Sequence, residues 1–231
     1  LARTKSLTHS EKDIYKALTG LETQQDNAIV QNIVNKDLAM EDLPFNFKQA
    51  RAKLRELPSE LYVLSRNSKI SKKDEPTIND ESVIERMFYQ AKQSGFRHIL
   101  VDVPSSPHNL FTTLSFLYAD ERFAVVDEHY GTSGIFKNAM EELDEILFTK
   151  DDFELIINGY TDEEILEHVR EVYDMTPVLE IPYDDEIVTN HHNLLLYGGE
   201  VFMDEINQFV TRYGVAMEEK EKKKKRFAIF G

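Results

Sequence analysis

The sequence contains no cysteine, and that absence excludes disulfides, thiolate metal sites and a cysteine nucleophile. It accords with a reducing compartment. No apolar run approaches the ~18–20 residues needed to cross a bilayer, and Leu1-Ala2-Arg3-Thr4-Lys5 lacks the apolar stretch of a secretion signal, so the chain reads as cytosolic. Positive charge is scarce. Against 42 Asp and Glu stand 27 Lys and Arg, and the net charge of −15 argues against a broad nucleic-acid surface, which needs clustered cations to displace counterions. No repeat recurs at a fixed period, and no Gly-Lys pair occurs anywhere. The first residue is not Met, so the chain is expected to be processed, trimmed or incomplete.

Apolar residues are plentiful by comparison. They make up 41% of the 231 residues, with 14 Phe and 10 Tyr, enough to offset the entropy lost on folding. The length suits one large α/β domain, expected over residues 1–218, followed by a tail at 219–231.

Residues 10–57 read as helical. Ile14, Tyr15 and Leu18 form one stripe and Phe47, Ala50, Leu54 and Leu57 another, with Asp42-Leu43-Pro44 breaking the pattern and Pro58 ending it. Leu61-Tyr62-Val63-Leu64 is predicted to be a short strand, and residues 66–80 an exposed loop. Ile84, Met87, Phe88 and Ala91 mark a helix capped by Asn79 or Asp80 and closed by Gly95.

From there short apolar runs alternate with amphipathic ones. Strands are predicted at 98–103, 123–126, 153–157 and 177–181. Helices are predicted at 110–117, over Phe136, Met140, Leu143 and Leu147, after a capping box Thr161-x-x-Glu164, and over Phe202, Ile206, Phe209 and Tyr213. This is the pattern of an α/β fold, a doubly wound and mostly parallel sheet with helices on both faces.

In such sheets ligands sit beyond the carboxyl ends of the strands. The polar residues there are Asp102 with Pro104, Ser105 and Ser106; Asp127 with Glu128; Asn158 with Gly159; and Pro182, Tyr183 and Asp184. Each has a purely structural alternative. Asp102 would cap the next turn, Asn158 would be a turn residue tolerating the left-handed region, and Pro182 and Tyr183 would cap their strand against the last helix.

Taken in order, these segments resemble the MinD/ParA-type P-loop ATPases, including pilus-assembly members related to TadZ and CpaE. Ile99-Leu100-Val101-Asp102-Val103-Pro104-Ser105-Ser106 is similar to the Walker B strand and switch II, and Ala119-Asp120 to the family's "AD" before the next strand. Ser133 opens the following helix. Ile156-Ile157-Asn158 resembles the strand whose Asn contacts adenine, and Ile181-Pro182-Tyr183-Asp184 the loop closing over the base. The match spans roughly residues 61–213, and more loosely 10–60.

The resemblance implies ATP and Mg2+ as cofactors, with Asp102 at the metal, Ser105 and Ser106 in the switch that senses the γ-phosphate, and Asn158, Pro182, Tyr183 and Asp184 around the base. It implies nucleotide-dependent homodimerisation and a protein partner in a positioning, secretion or pilus system. The acidic charge makes DNA a less fitting partner.

One departure stands out. The family's Gly-rich Walker A loop, which cradles phosphate on backbone N–H groups, has no counterpart, and Gly198-Gly199 is the only paired glycine. The family's P-loop strand lies between the Walker B strand and the one at 123–126, so either the segment carrying it is absent from this chain or the protein is a non-catalytic pseudo-ATPase scaffold. A glycosyltransferase-like or other nucleotide-binding α/β domain is a remote third reading, for which no carboxylate pair is found.

His191-His192 invites a metal reading, but adjacent side chains in an extended segment point apart. The tail at 220–231 joins a basic cluster, Lys220 to Arg226, to Phe227-Ala228-Ile229-Phe230, suiting contact with an anionic membrane surface or simple solvation. MinD-type members end in a short membrane-targeting helix.

Overall fold

A computed structural model describes residues 12–64, 80–104, 106, 108–146, 148–192, 199–212 and 214. The chain forms two compact units, the first reaching to Asp120 and the second beginning at Glu121 and taking in a helix at 200–212.

The described part of the first unit is helical. Helices α1 (Ile14–Glu22), α2 (Ala28–Asn32), α5 (Glu81–Gln93) and α6 (Leu110–Tyr118) share a core built from Leu18, Leu21, Ile29, Ile84, Met87, Phe88 and Leu114. The 3.6-residue spacing of these positions puts them on one stripe of each helix, which is why they bury together. Phe88 stacks between Phe111 and Tyr118, with centroids 6.3 Å and 5.4 Å away. Asp80 caps α5 by accepting from the Ser82 backbone N–H at 2.9 Å.

A second small core joins α3 (Lys36–Asp42) and α4 (Lys48–Glu56) through Ala39, Leu54 and Leu57. Arg51 of α4 donates to the carbonyls of Met40 and Leu43, both at 2.8 Å, satisfying acceptors at the end of α3. Phe47, expected on the apolar stripe, lies at the N-cap of α4 and is exposed.

Two predicted strands of this unit do not form as predicted. Residues 61–64 make a single antiparallel bridge, Val63 to Val34, rather than a strand of a sheet. Residues 98–103 pair with nothing among the described residues, and Leu100 is 93% exposed. An apolar run has strand propensity, but a strand is held by its ladder neighbour, and no described residue supplies one.

The second unit holds the sheet. Strands β1 (Phe123–Val126), β2 (Glu154–Tyr160) and β3 (Pro177–Pro182) run parallel in the order β1-β2-β3. They are joined through α7 (Tyr130–Asp144) and α8 (Glu163–Tyr173), and α9 (Asp185–His192) follows β3. Sequential strand order keeps both crossovers on one face. There Phe136 and Met140 of α7 and Leu166, Val169 and Tyr173 of α8 pack on Val126, Leu155 and Ile157. Phe123 alternates to the opposite face and meets Phe209 of α10 (200–212) edge-on at 6.1 Å, which makes three layers.

The start of α8 differs from the predicted capping box. Asp162, not Thr161, is the N-cap and accepts from the Ile165 N–H at 2.9 Å. Thr161 is engaged by Glu128 instead. His191 and His192 lie at the end of α9 rather than in an extended segment, because Asp185 and Glu186 open a helix directly after β3.

Candidate functional site

The carboxyl ends of β2 and β3 carry most of the site. Asn158 sits inside β2, opposite Ile181, and its backbone is not left-handed, so it is not the turn residue of the structural alternative. Gly159 takes the positive φ instead, at +89°, and the β2–β3 register shifts there. The ladder resumes with Tyr160 opposite Pro182, and the Tyr183 N–H donates to the Tyr160 carbonyl at 2.8 Å. Asn158 and Tyr183 are thereby fixed on neighbouring strand ends.

The side chains differ in how far they are committed. The Asn158 amide is exposed and has no hydrogen-bond partner among the described residues. Tyr183 is 54% exposed, so its ring is not packed as a cap against the last helix. Asp184 is only 8% exposed. Its Oδ1 accepts from the Glu186 N–H at 2.9 Å, and its Oδ2 accepts a long bond of 3.4 Å from the Phe202 N–H in the first turn of α10.

Neighbouring strand ends are clamped as well. After β1, Glu128 accepts from both the backbone N–H and the Oγ1–H of Thr161 after β2, at 2.8 and 2.9 Å. The sequence marks Glu128 as a strand-end carboxylate but does not show its partner, because the two residues are 33 positions apart. On β3, Glu180 forms a two-pronged ion pair with Arg170 of α8, Nε to Oε1 at 2.5 Å and the second nitrogen to Oε2 at 2.6 Å. That hydrogen bonding pushes the Arg170 guanidinium above its ordinary pKa. Burial, followed by the negative charges of Glu163, Glu180 and Glu205, pushes the Tyr160 phenol up.

Tyr173, buried beneath this edge, has its phenol pushed up to about 12, first by burial and then by the charge of Asp127. The group is neutral in both states below its ordinary value of 10.0. Above that value the unfolded chain loses the proton while the folded protein keeps it, so stability falls as pH rises from 10.0 to about 12. Urea unfolding at about pH 9 and about pH 11 should show this loss, and Tyr173→Phe should reduce the difference. An unchanged pH dependence in the Tyr173→Phe protein would count against the assignment.

Asp102 belongs to the first unit. It is exposed and makes no hydrogen bond or ion pair with any described residue. It does not cap the next helix: Asn109 does, accepting from the Phe111 N–H at 2.9 Å. Ser106 is exposed, and its carbonyl accepts from the Asn109 N–H at 3.4 Å. Ser105 and the tail at 219–231 lie outside the described residues.

A free carboxylate of this kind fits Mg2+ chemistry, since that ion keeps most of its waters and takes one or two carboxylates alongside substrate phosphates. Among the described residues no group of three His, Asp or Glu is placed to hold a metal by itself.

These features define a three-layer α/β fold with a parallel sheet and polar residues gathered at its carboxyl edge. No family model matches the sequence and no curated protein matches it. Solved structures do match in three dimensions. A ParA family ATPase from Chlorobium tepidum TLS superposes with a TM-score of 0.58 at 15% identity, over 81% of this chain and 66% of that one. The MinC:MinD cell division protein complex of Aquifex aeolicus gives 0.55 at 16% identity, over 84% of this chain and 69% of that one. The fold is therefore that of the ParA and MinD ATPases, and the chain spans about two thirds of those relatives' length.

Proposed function

We propose that the protein containing this chain is an ATP-binding member of the MinD/ParA group that acts as a nucleotide-dependent positioning or assembly factor. The observation that carries this reading is the uncommitted Asn158 amide, one strand away from the exposed ring of Tyr183, at the carboxyl edge of a ParA/MinD sheet. A primary amide matches the donor–acceptor pair that adenine presents at N6 and N7, and a tyrosine ring offers a stacking surface. Fold alone does not define function, so the proposal rests on these groups.

The remaining roles follow from the same reading. Pro182 and Tyr183 cover the base, and Asp184 completes that loop. On the family resemblance, Asp102 would hold a nucleotide-bound Mg2+ directly or through water, and Ser105 and Ser106 would form the switch. Mg2+ would supply charge neutralisation at the phosphates. A homodimer, a cytoplasmic location and a pilus, secretion or cell-pole partner belong to the proposal. So does membrane-surface contact through 220–231.

The experiment is titration of a fluorescent ATP analogue into the full-length protein, with GTP as competitor and sedimentation to follow assembly. Asn158→Ala should weaken ATP binding about tenfold, the worth of one or two neutral hydrogen bonds, and narrow the preference over GTP. Absence of ATP binding at millimolar concentration would defeat the reading.

The second reading, a pseudo-ATPase scaffold, is favoured by the lack of any Gly-Lys pair. It predicts no ATP-stimulated phosphate release and an assembly state indifferent to nucleotide.

A further inference from the structure

We propose that Asp184 is a positioning residue which couples the seating of α10 to the placement of the Tyr183 ring, with Gly199 as its required steric partner. The proposal rests on the reading of Asn158 and Tyr183 as a base site. Its first half, the anchoring of the loop, is independent of nucleotide.

Asp184 stands out in its loop. Its neighbour Tyr183 is half exposed, whereas the Asp184 carboxylate is buried with its two oxygens directed to different helices. One accepts from the first turn of α9, four positions or fewer away in sequence. The other accepts from Phe202, 18 residues on. The Asp184 carbonyl also accepts from the Ile187 N–H at 3.1 Å, and the Tyr183 N–H is held by Tyr160. The loop is thus tied to β2, α9 and α10 at once.

Gly199 shows how close the approach is. It is buried, its carbonyl accepts from the Met203 N–H to start α10, and a Cβ placed on it would overlap both carboxylate oxygens of Asp184. The carboxylate therefore lies against the start of α10 in space that only glycine leaves open. A charged acceptor facing helix amides is favoured there by hydrogen bonding and by the helix dipole. Any movement of α10 that withdraws Phe202 and Gly199 removes one of the loop's ties. By reciprocity, a ligand that fixes Tyr183 also favours the seated helix.

The chain has no tryptophan, so Tyr183→Trp gives a single reporter at the loop. In that background, Asp184→Asn keeps an acceptor for Glu186 but presents an amide group to Phe202, and Gly199→Ala leaves the carboxylate intact and pushes it away. Acrylamide quenching of the nucleotide-free full-length protein should rise about twofold in either variant, as a loop released from one tie opens more often. ATP should bind about tenfold more weakly in both, and hydrogen exchange at residues 199–203 should slow on ATP addition in the Tyr183→Trp parent but not in the variants.

Quenching equal to the parent in both variants, with far-UV circular dichroism showing them folded, would overturn the anchoring. If Gly199→Ala fails to fold, Asp184→Asn carries the same test. Raised quenching together with no ATP response in the parent would overturn the coupling and the base-site reading, leaving Asp184 as a loop anchor. ATP binding in the parent with unchanged exchange at 199–203 would overturn the coupling alone.

Discussion

Leu155→Ala should lower the unfolding free energy by about 3 kcal/mol, the middle of the range for emptying a leucine site in a core that relaxes only partly. Leu155 is fully buried on the central strand β2, between β1 and β3, and belongs to the cluster shared with α7 and α8. Neither neighbouring strand can move in to fill the gap without breaking its own ladder, so the cavity term adds to the lost transfer free energy. The same sheet provides the control. Val125 faces away from that cluster and is 61% exposed, so Val125→Ala should change stability by less than about 1 kcal/mol. Urea unfolding of both variants decides the matter, and similar losses in the two would mean that the burial assigned to β2 is wrong.

Gly159→Ala should cost about 2 kcal/mol, and the cause should be backbone conformation rather than space. A Cβ at Gly159 would meet no atom within 4 Å, so crowding contributes nothing. The φ of +89° is what an L-residue resists. Alanine would pull φ back toward negative values and turn the strand between Asn158 and Tyr160, where the register with β3 shifts. The effect should therefore reach function as well. If the base-site reading holds, Gly159→Ala weakens ATP binding even at temperatures where the protein stays folded. Wild-type stability in this variant would show that the positive φ is not required.

Most of the helices and the three paired strands are legible in the sequence. The helices at α1, α5, α7 and α8 follow stripes such as Ile84, Met87 and Phe88, and the strands β1 to β3 follow short apolar runs, β2 extending three residues beyond its run. Local periodicity decides these because burying one face is a property of consecutive residues. The segment at 98–103 shows the limit of that logic. It has the composition of a strand, yet strand pairing depends on a neighbour that no local pattern specifies.

The candidate site divides along the same line. Asn158, Tyr183 and Asp184 are recognisable as polar residues closing apolar runs in a resembling order, although β2 continues two residues past Asn158 to Tyr160. That Asn158 is uncommitted, that Asp184 is buried against Gly199, and that Glu128 reaches Thr161 were not recognisable. These contacts join residues 15 to 33 positions apart.

The sequence by itself determined the α/β alternation of the second unit and the ParA/MinD resemblance, because each depends on residues close together in the chain or on their order along it. Only the tertiary structure decided which of the polar groups at the strand ends remain free for a ligand and which are consumed as caps and clamps. That choice depends on which backbone amides the fold brings within hydrogen-bonding distance, and only the folded chain sets those distances.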